Sequence, residues 1–343
     1  EVDAFLGVND YETLPALLDS LDERKIIANS CTETELPEVK VRADGSMYSA
    51  TLKIAEGCNN RCAYCIIPFI RGNYRSKRQE AVIAEAKALA EAGCRELILI
   101  AQDTTYYGYD LYGEYRLPQL LKQLCQIDGI RWIRLMYCYE DRITDELIQT
   151  IREDDKICNY LDIPIQHASD NILKAMKRRS TNRSITDKIA KLKEQIPDIH
   201  IRTTLITGFP GETEEDFDTL YDFVAEQRFA RLGVFAYSQE EGTVAGQMPN
   251  QIDEEIKTES ADSIMRLQME ISLEENRSKI DTVQEVIVDE IDEDGSYIGR
   301  TRYDAPEIDN AVIFTGKQEH KPGDMVMVHI DDAFDYDLAG TEV

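Results

Sequence analysis

Positive charge is scarce in this sequence. Among its 343 residues, 38 Lys and Arg stand against 66 Asp and Glu, which gives a formal net charge of −28 at pH 7. A surface of that sign repels nucleic acids and acidic membranes, so the charge balance argues against general nucleic-acid binding and favours a basic partner. Acidic surfaces also promote solubility, and this simpler explanation accounts for part of the excess.

Long apolar runs and a secretion signal are lacking as well. No apolar segment approaches the roughly 20 residues that span a bilayer, and no signal peptide is predicted, so we expect no membrane partner. The whole chain contains eight cysteines. In a chain of this length that number does not indicate a disulfide scaffold, and a reducing cytoplasm is the expected location.

Three of the eight cysteines lie close together after a short predicted strand. Residues 49–55 alternate in polarity as a strand does, and Cys58, Cys62 and Cys65 follow with the spacing C-x3-C-x2-C. Three thiolates this close can hold three irons of a cubic 4Fe-4S cluster, which usually takes four thiolates. The fourth iron would be open to a substrate or cofactor, as one position of a catalytic zinc site is.

A zinc knuckle is the alternative interpretation of this spacing. A structural zinc ion needs four ligands, and the 28 residues that follow Cys65 contain neither His nor Cys. The spacing therefore favours the iron–sulfur cluster. The other cysteines stand apart: Cys31 is alone near the front, and Cys94, Cys125, Cys138 and Cys158 lie in mostly apolar surroundings that predict core positions.

Short apolar strands alternate with amphipathic helices between residues 47 and 237. Six such units predict a parallel sheet with crossover helices, two units short of a closed eight-unit barrel. The expected fold class is α/β, a partial (βα)6 barrel. The predicted strands are 49–55, 96–101, 131–136, 160–165, 200–206 and 230–236. The predicted helices include 79–91, 118–126, 144–152 and 213–227.

A long charged helix, 252–279, connects this unit to a second one. From residue 282 the apolar period changes to two, and Asp294-Gly295 and Pro322-Gly323 are turn signals. This pattern predicts a small five-stranded antiparallel barrel. Its predicted strands are 283–291, 297–301, 311–314, 325–330 and 335–339.

The first residues have a different character. The chain has no initiator Met, and VDAFLGVNDYETLPALLDSL reads as the last strand and helix of a domain. We interpret residues 1–44 as the remnant of a truncated domain that ends in a linker, 37–44. The expected organisation is then 1–44, a main domain 45–250, the connecting helix 251–279 and the β-barrel 280–343.

The cysteine segment EGCNNRCAYC resembles the radical S-adenosylmethionine (SAM) superfamily. The resemblance implies that Cys58, Cys62 and Cys65 hold a 4Fe-4S cluster whose open iron chelates the amino and carboxylate groups of SAM. It implies that Tyr64, in the aromatic position before the last cysteine, lies near the adenine. The cluster would pass one electron to SAM and cleave it to a 5′-deoxyadenosyl radical, and a reductant such as flavodoxin would supply that electron.

Polar residues at the ends of the later strands fit a SAM pocket, since ligands bind at the carboxyl ends of barrel strands. We predict that Gln166 and Arg202 face the amino-acid part of SAM and that Gly208, in the GFPGE turn, lies close to the nucleoside. The alternative is that these are turn and cap residues, because many strand–helix turns look like this glycine loop. His167 is assigned no catalytic role, since a lone His is more often structural and radical chemistry needs no base in its main step.

Further segments narrow the resemblance to the methylthiotransferases. AQDTTYYG, YLDIPIQHASDNILKAMKRR and RTTLITGFPGETEEDF match that group, and the C-terminal barrel resembles the TRAM domain, which often grips substrate. Three features favour the branch that modifies ribosomal protein S-twelve of the small subunit over the tRNA-adenosine (MiaB-like) branch. AQDTTYYG lacks the asparagine of the tRNA enzymes, His167-Ala168 replaces their usual Ser-Gly, and DAPEID occurs at 304–309.

The resemblance implies that a methylthio group is added to the β-carbon of an aspartate in S-twelve. One SAM would supply a methyl group to a cluster-bound sulfur, and a second would give the radical that removes a hydrogen from the β-carbon. Family members carry a further front domain with three cysteines for a second 4Fe-4S cluster. Only Cys31 precedes Cys58 here, so the second cluster is expected only in the full-length protein.

Overall fold

The computed structural model describes residues 4–7, 13–19, 25–26 and 47–343. Cys31 and the predicted linker 37–44 lie outside these ranges. Near the front, strand β1 (Ala4–Phe5) pairs in parallel with β2 (Lys25–Ile26), and helix α1 (Leu14–Leu18) lies between them in the chain. Within the described ranges, no helix is long and apolar enough to cross a membrane.

Six parallel strands form the main sheet, in agreement with the predicted partial barrel. They are β3 (Ser49–Lys53), β6 (Glu96–Ile100), β7 (Trp132–Leu135), β8 (Ile157–Asp162), β9 (His200–Thr207) and β10 (Arg231–Ala236). Their spatial order is β10-β9-β8-β7-β6-β3, so each strand pairs with the next one along the chain. The strands β3 and β10 form the two edges, and the sheet stays open between them.

Helices cover one face of this sheet. Leu97 and Leu99 of β6 face the helices and belong to the main hydrophobic core, whereas Ile98 and Ile100 point to the opposite face. The longer helices are α3 (Gln79–Glu91), α5 (Leu117–Leu124), α6 (Asp145–Glu153), α8 (Asn182–Gln195), α9 (Glu214–Gln227) and α10 (Glu254–Arg277). The short ones are α2 (Ile67–Arg71), α4 (Tyr109–Tyr112) and α7 (Asp170–Ala175).

One predicted strand needs correction, and one predicted helix begins where the sequence places it. Strand 160–165 is shifted to Ile157–Asp162, because Pro164 has no N–H to donate to a neighbouring strand. The helix at 213–227 begins as predicted, since Thr213 and Asp216 form a capping box around its first turn. The connecting helix α10 packs on the sheet domain, with Ile264 and Ile271 buried in the main core.

The C-terminal unit is a closed five-stranded barrel. Its strands are β11 (Val283–Ile291), β12 (Tyr297–Thr301), β13 (Val312–Thr315), β14 (Met325–Ala333) and β15 (Leu338–Glu342). They close in the order β11-β12-β13-β15-β14 around a core that includes Val286, Phe314 and Val328.

The prediction of a wholly antiparallel barrel is wrong for one pair of neighbouring strands. Strands β13 and β15 pair in parallel, with Val312 opposite Leu338, while the other four pairs are antiparallel. A ring of five strands cannot alternate direction at every step, because an odd number leaves one pair running the same way. The last strand also begins later than predicted, since Phe334 N–H donates to the carbonyl of Asp337 and residues 334–337 form the turn.

The barrel packs on the sheet face that the helices leave free. An apolar cluster joins the two units, with Ile98, Trp132 and Tyr160 from the sheet and Ile287 and Ala305 from the barrel. Trp132 is the first residue of β7, so the contact lies toward the strand starts. The carboxyl ends of the strands therefore stay available for a site.

Buried ion pairs accompany this apolar contact. Glu96, the first residue of β6, lies 2.9 Å from Arg134 Nε and 2.5 Å from Arg300 Nη2, and all three side chains are almost fully buried. Asp304 pairs with Arg231 at 2.5 Å. Asp304 and Ala305 of the DAPEID segment, 304–309, thus lie at the junction between the two domains, whereas Glu307 and Ile308 are exposed.

Candidate active site

The loop that carries the three cysteines leaves the sheet at Gly57. This residue has φ of 79°, and a Cβ there would lie 2.1 Å from the carbonyl oxygen of Asn73. Only glycine fits both the backbone conformation and this close approach. Strands β4 (Ala55–Glu56) and β5 (Arg75–Ser76) pair across the base of the loop, and Cys58 N–H donates to the carbonyl of Gly72.

Cys58, Cys62 and Cys65 line one cavity of about 370 Å³ at the carboxyl end of the sheet. Lys53 of β3 and Ile100 of β6 line it too, which places the cavity at the ends of neighbouring strands. Cys58 and Cys62 are buried and Cys65 is half-buried. By contrast, the described cysteines outside this loop are core residues: Cys94, Cys125, Cys138 and Cys158 are at most 4% exposed.

Burial keeps two of these thiols protonated when no cation is near. It raises the pKa of Cys58 to about 11 and also raises the pKa of Cys65. Iron binds the thiolate form. Loading the site with iron therefore releases the thiol protons, and the positive charge of the metal takes their place. These two thiols therefore become good ligands only when a metal cation stabilises their thiolate form.

A buried carboxylate fixes the cysteine loop to the next strand. Asp103, which follows β6, accepts a hydrogen bond from Asn60 Nδ2 at 2.8 Å and pairs with the guanidinium of Arg142. Arg142 also donates to Asn60 Oδ1 at 2.8 Å. Because Asn60 lies between Cys58 and Cys62, these bonds hold the loop in the shape that brings the cysteines together.

We expect Asp103→Ala to loosen the cysteine loop. Arg142 would lose its buried carboxylate partner, which costs about 1–3 kcal/mol of unfolding free energy. The cluster should then be retained several-fold less well after desalting, as measured by iron per chain. Asp141→Ala is the matched control, since Asp141 is exposed and close in sequence to the same Arg. Equal iron retention in both variants would contradict this role for Asp103.

Two tyrosines from the loop after β7 complete the cavity wall. The Tyr139 hydroxyl and Cys62 Sγ lie 3.5 Å apart, and the Arg178 guanidinium lies 4.3 Å from the centre of the Tyr139 ring. Tyr137 has φ of 56° and donates its N–H to Asp162 Oδ2 at 3.0 Å. Asp162 thereby stabilises a strained backbone beside the cavity.

The structure brings Tyr64 together with the cysteines, in the lining of the same cavity. Gln166, Arg202 and Gly208 are not part of that lining. Gln166 has φ of 75° and its backbone bonds to Thr204 and Ile206 of β9. The contacts of Gln166, Arg202 and Gly208 with SAM stay predictions.

Arg202 and Gly208 have clear structural partners. Arg202 lies 3.2 Å from Asp162 Oδ1 and 3.4 Å from Asp309 Oδ1, so it joins the sheet to the barrel domain. Gly208 has φ of 69°, and a Cβ there would meet the Lys257 side chain at 2.1 Å.

His167 contacts other parts of the fold. It is fully buried, accepts a hydrogen bond from Ser169 N–H at Nδ1, and places Nε2 3.3 Å from Glu212 Oε2. These contacts tie the end of β8 to the glycine turn after β9.

Sequence reasoning missed four residues of the site: Asn60, Tyr137, Tyr139 and Arg142. Three of them lie in the segment MYCYEDR directly after β7. Polar and aromatic side chains at the carboxyl end of a parallel strand were the available signal.

Family comparisons agree with this geometry. The sequence model of the Radical SAM superfamily matches residues 52–224, and that of the TRAM domain matches residues 280–343. The coproporphyrinogen III oxidase (HemN) from Escherichia coli, a radical SAM enzyme, superimposes with a TM-score of 0.51 at 15% identity. That alignment covers 75% of this chain and 66% of the oxidase chain, and it shows a shared fold only.

Curated relatives are much more similar in sequence. The ribosomal protein uS12 methylthiotransferase RimO of Clostridioides difficile (strain 630) is 50% identical over 342 residues, which cover 99% of this chain and 77% of the relative. The protein of the same name from Geobacter sulfurreducens is 48% identical over 345 residues, with 99% and 77% covered. The chain thus spans about three quarters of the length of these relatives.

The fold, the cysteine loop and the matched sequence model define a radical SAM enzyme, and the chain belongs to that superfamily. Within the superfamily it belongs to the ribosomal protein uS12 methylthiotransferase family.

Membership implies a 4Fe-4S cluster and SAM, and the side chains of the cavity fit both groups. Three thiols face one space, and Gln102 contributes a buried Oε1 that has no hydrogen-bond partner within the described residues. In the same part of the chain, no three His, Cys, Asp or Glu side chains converge on a single ion. Each thiolate of a cubic cluster binds a separate iron, so three thiols that share one cavity fit such a cluster.

Proposed function

We propose that the protein adds a methylthio group to the β-carbon of an aspartate in ribosomal protein uS12. The observation that carries this proposal is the 50% identity to a uS12 methylthiotransferase over 99% of the chain. Cys58, Cys62 and Cys65 would hold the 4Fe-4S cluster, leaving one iron open for SAM. When bound, the cluster supplies one-electron reduction of SAM.

The chain's own residues bind, orient and shield the reacting groups. Tyr64, Tyr137 and Tyr139 line the cavity with aromatic surface, which excludes water from a radical reaction. Asp103, Arg142 and Asn60 fix the cysteine loop. We further propose that Gln166 and Arg202 act toward the amino-acid part of SAM and that Gly208 acts toward its nucleoside.

The surface of the barrel domain supports a basic protein substrate. Residues 278–343 contain 17 Asp and Glu against five Lys and Arg, a net charge of −12. Lys279 and Arg300 are buried at the domain junction and Arg302 donates to the carbonyls of Asp155 and Ile157. The exposed cations of the barrel are Lys317 and Lys321 alone, against ten exposed carboxylate residues, within this fully described region.

This distribution favours uS12 over tRNA, the alternative substrate. Ribosomal proteins are basic because they hold RNA, whereas an RNA-binding barrel needs exposed cations to neutralise phosphates. A competition assay separates the two functions. With SAM, a reductant such as flavodoxin, uS12 and tRNA in one reaction, we expect the methylthio mass increment on uS12. Methylthio-adenosine in the tRNA with unmodified uS12 would overturn the proposal.

Charge reversal on the barrel should weaken substrate binding. Asp331, Asp332 and Asp335 are exposed around the turn between β14 and β15. Changing all three to Lys should slow the association of uS12 by about tenfold at low salt, because exposed charges act mainly on the on-rate. Stopped-flow or surface-based kinetics measures this. A matched triple change of the same residues to Glu keeps the charge and should leave the rate unchanged.

Further parts of the proposal concern the whole protein. A second 4Fe-4S cluster is proposed for the full-length enzyme, and Cys31, the cysteine here that precedes Cys58, lies outside the described residues. We place the enzyme in the cytoplasm, where reduced thiols and ribosomes are both available.

A further inference from the structure

Exposed cations border the cysteine loop of this otherwise acidic protein. They are Arg61, within the loop, and Lys174, Lys177 and Arg179, from the segment KAMKRR. We call these four residues the basic rim. Within residues 47–343, which the structure describes without a gap, none of the four forms an ion pair. Their charge is therefore not neutralised locally, although the chain as a whole carries −28.

A backbone hydrogen bond and a shared cleft connect the basic rim to the cluster site. Ala63 N–H, in the cysteine loop, donates to the carbonyl of Met176 at 2.9 Å. Lys177 and Arg179 line a small cleft together with Cys62 and Tyr139. Because Cys62 also lines the main cavity, its side chain is bordered both by the proposed SAM cavity and by the cleft under the rim.

A simpler explanation covers only part of the rim. Cations near a helix C-terminus are favoured by the helix dipole by about 0.3–1 kcal/mol, an effect confined to the last turn. This accounts for Lys174, which lies in the last turn of α7. It does not account for Arg61, which lies in another loop at φ of 53°, or for Arg179 beyond the helix end. The exposed carboxylate in the cleft, Asp141, leaves the rim with a positive balance.

We propose that the basic rim is the docking surface for an acidic electron-carrier protein. The proposal rests on the radical SAM function, because that chemistry consumes an electron from outside the chain. The carrier loses one electron and the cluster held by the cysteines gains one, and no bond is made or broken in that transfer. The carrier approaches through the cleft beside Cys62, while the cavity stays free for SAM and substrate.

Charge separates the two protein partners. The basic rim repels a basic ribosomal protein and attracts an acidic carrier, whereas the acidic barrel does the opposite. RNA is a poorer fit than an acidic protein, because binding its regular phosphates takes a row of cations. In the rim, Lys177 and Arg179 line the cleft beside Cys62, while Arg61 lines the main cavity.

The test uses a purified bacterial flavodoxin as the acidic carrier. Lys177→Glu/Arg179→Glu reverses two rim charges, and Lys317→Glu/Lys321→Glu makes the same charge change on the barrel. Titration calorimetry at low ionic strength should show at least tenfold weaker flavodoxin binding for the rim variant and a change below twofold for the barrel variant. The affinity of the unmodified protein should fall as salt rises.

A second measurement follows the anaerobic reduction of the reconstituted protein by reduced flavodoxin, which the rim variant alone should slow. Equal flavodoxin affinities for the two variants would overturn the proposal. So would a ribosomal RNA oligonucleotide that loses its binding to the rim variant while flavodoxin does not. The calorimetric measurement needs no turnover, so loss of docking is distinguishable from failure of the radical SAM function, which iron content and SAM cleavage report.

Discussion

Replacing any one of Cys58, Cys62 and Cys65 with Ser is expected to reduce cluster content from about one 4Fe-4S cluster per chain to nearly none. The three thiols line one cavity and share one loop, and each would bind a separate iron. Losing one thiolate leaves two irons without a cysteine ligand, and a cluster held in this way dissociates from the protein. Anaerobic reconstitution followed by iron and sulfide analysis measures the effect.

The control for this experiment is another cysteine. Cys94→Ala and Cys125→Ala remove thiols that are buried in the main core, away from the cavity. These variants should lose some stability yet bind a full cluster. If Cys58→Ser reconstitutes as fully as Cys94→Ala, the loop is not the cluster site.

Glu96→Gln is expected to lower the unfolding free energy by about 3–5 kcal/mol, the usual cost of leaving buried charges without their partner. Glu96 is 0% exposed and pairs with Arg134 of the sheet and Arg300 of the barrel. Its removal leaves the buried guanidinium of Arg134 without a carboxylate and leaves Arg300 with Asp289 alone. Urea unfolding measures the loss. Glu146→Gln is the control, because Glu146 pairs with Lys122 on the surface and should change stability by less than about 0.5 kcal/mol.

The same residue predicts a pH dependence. Burial by itself would raise the pKa of Glu96, but Arg134 and Arg300 outweigh it and hold the pKa below its ordinary range. The stabilisation is then complete above the unfolded-state pKa of about 4.3 and is lost as pH falls from there through the lower folded-state value. The stability gap between wild type and Glu96→Gln should therefore narrow below about pH 4.3. A gap that widens on acidification would show that Glu96 is protonated in the folded protein.

Local patterns were sufficient to predict most of the fold. Strand Val283–Ile291 and helix Gln79–Glu91 have the bounds that their periodicity predicts, because each buries one regular face. The parallel pair of β13 and β15 was not predictable in this way. It pairs Val312 with Leu338, which are 26 positions apart in the chain. The closure of a five-stranded ring requires this parallel pair, and the sequence pattern of neither strand alone indicates it.

The candidate site was predicted where its residues share one short segment. The cysteines and Tyr64 are close in sequence, so their spacing alone places them together. The contact between Asn60 and Arg142 joins residues 82 positions apart, and no local pattern reports it. Arg202 is a polar residue on a buried strand, and from the sequence it was predicted to face SAM. Its ion pair with Asp309 depends on how the barrel docks, which the order of elements does not specify.

The central claim is that the cavity of Cys58, Cys62 and Cys65 performs radical SAM chemistry. Its most direct test is the anaerobic incubation of reconstituted protein with SAM and dithionite, followed by chromatography of the products. We predict 5′-deoxyadenosine and methionine from the wild-type protein and neither from Cys62→Ser. A protein that takes up zinc in preference to iron and releases no 5′-deoxyadenosine would contradict the claim.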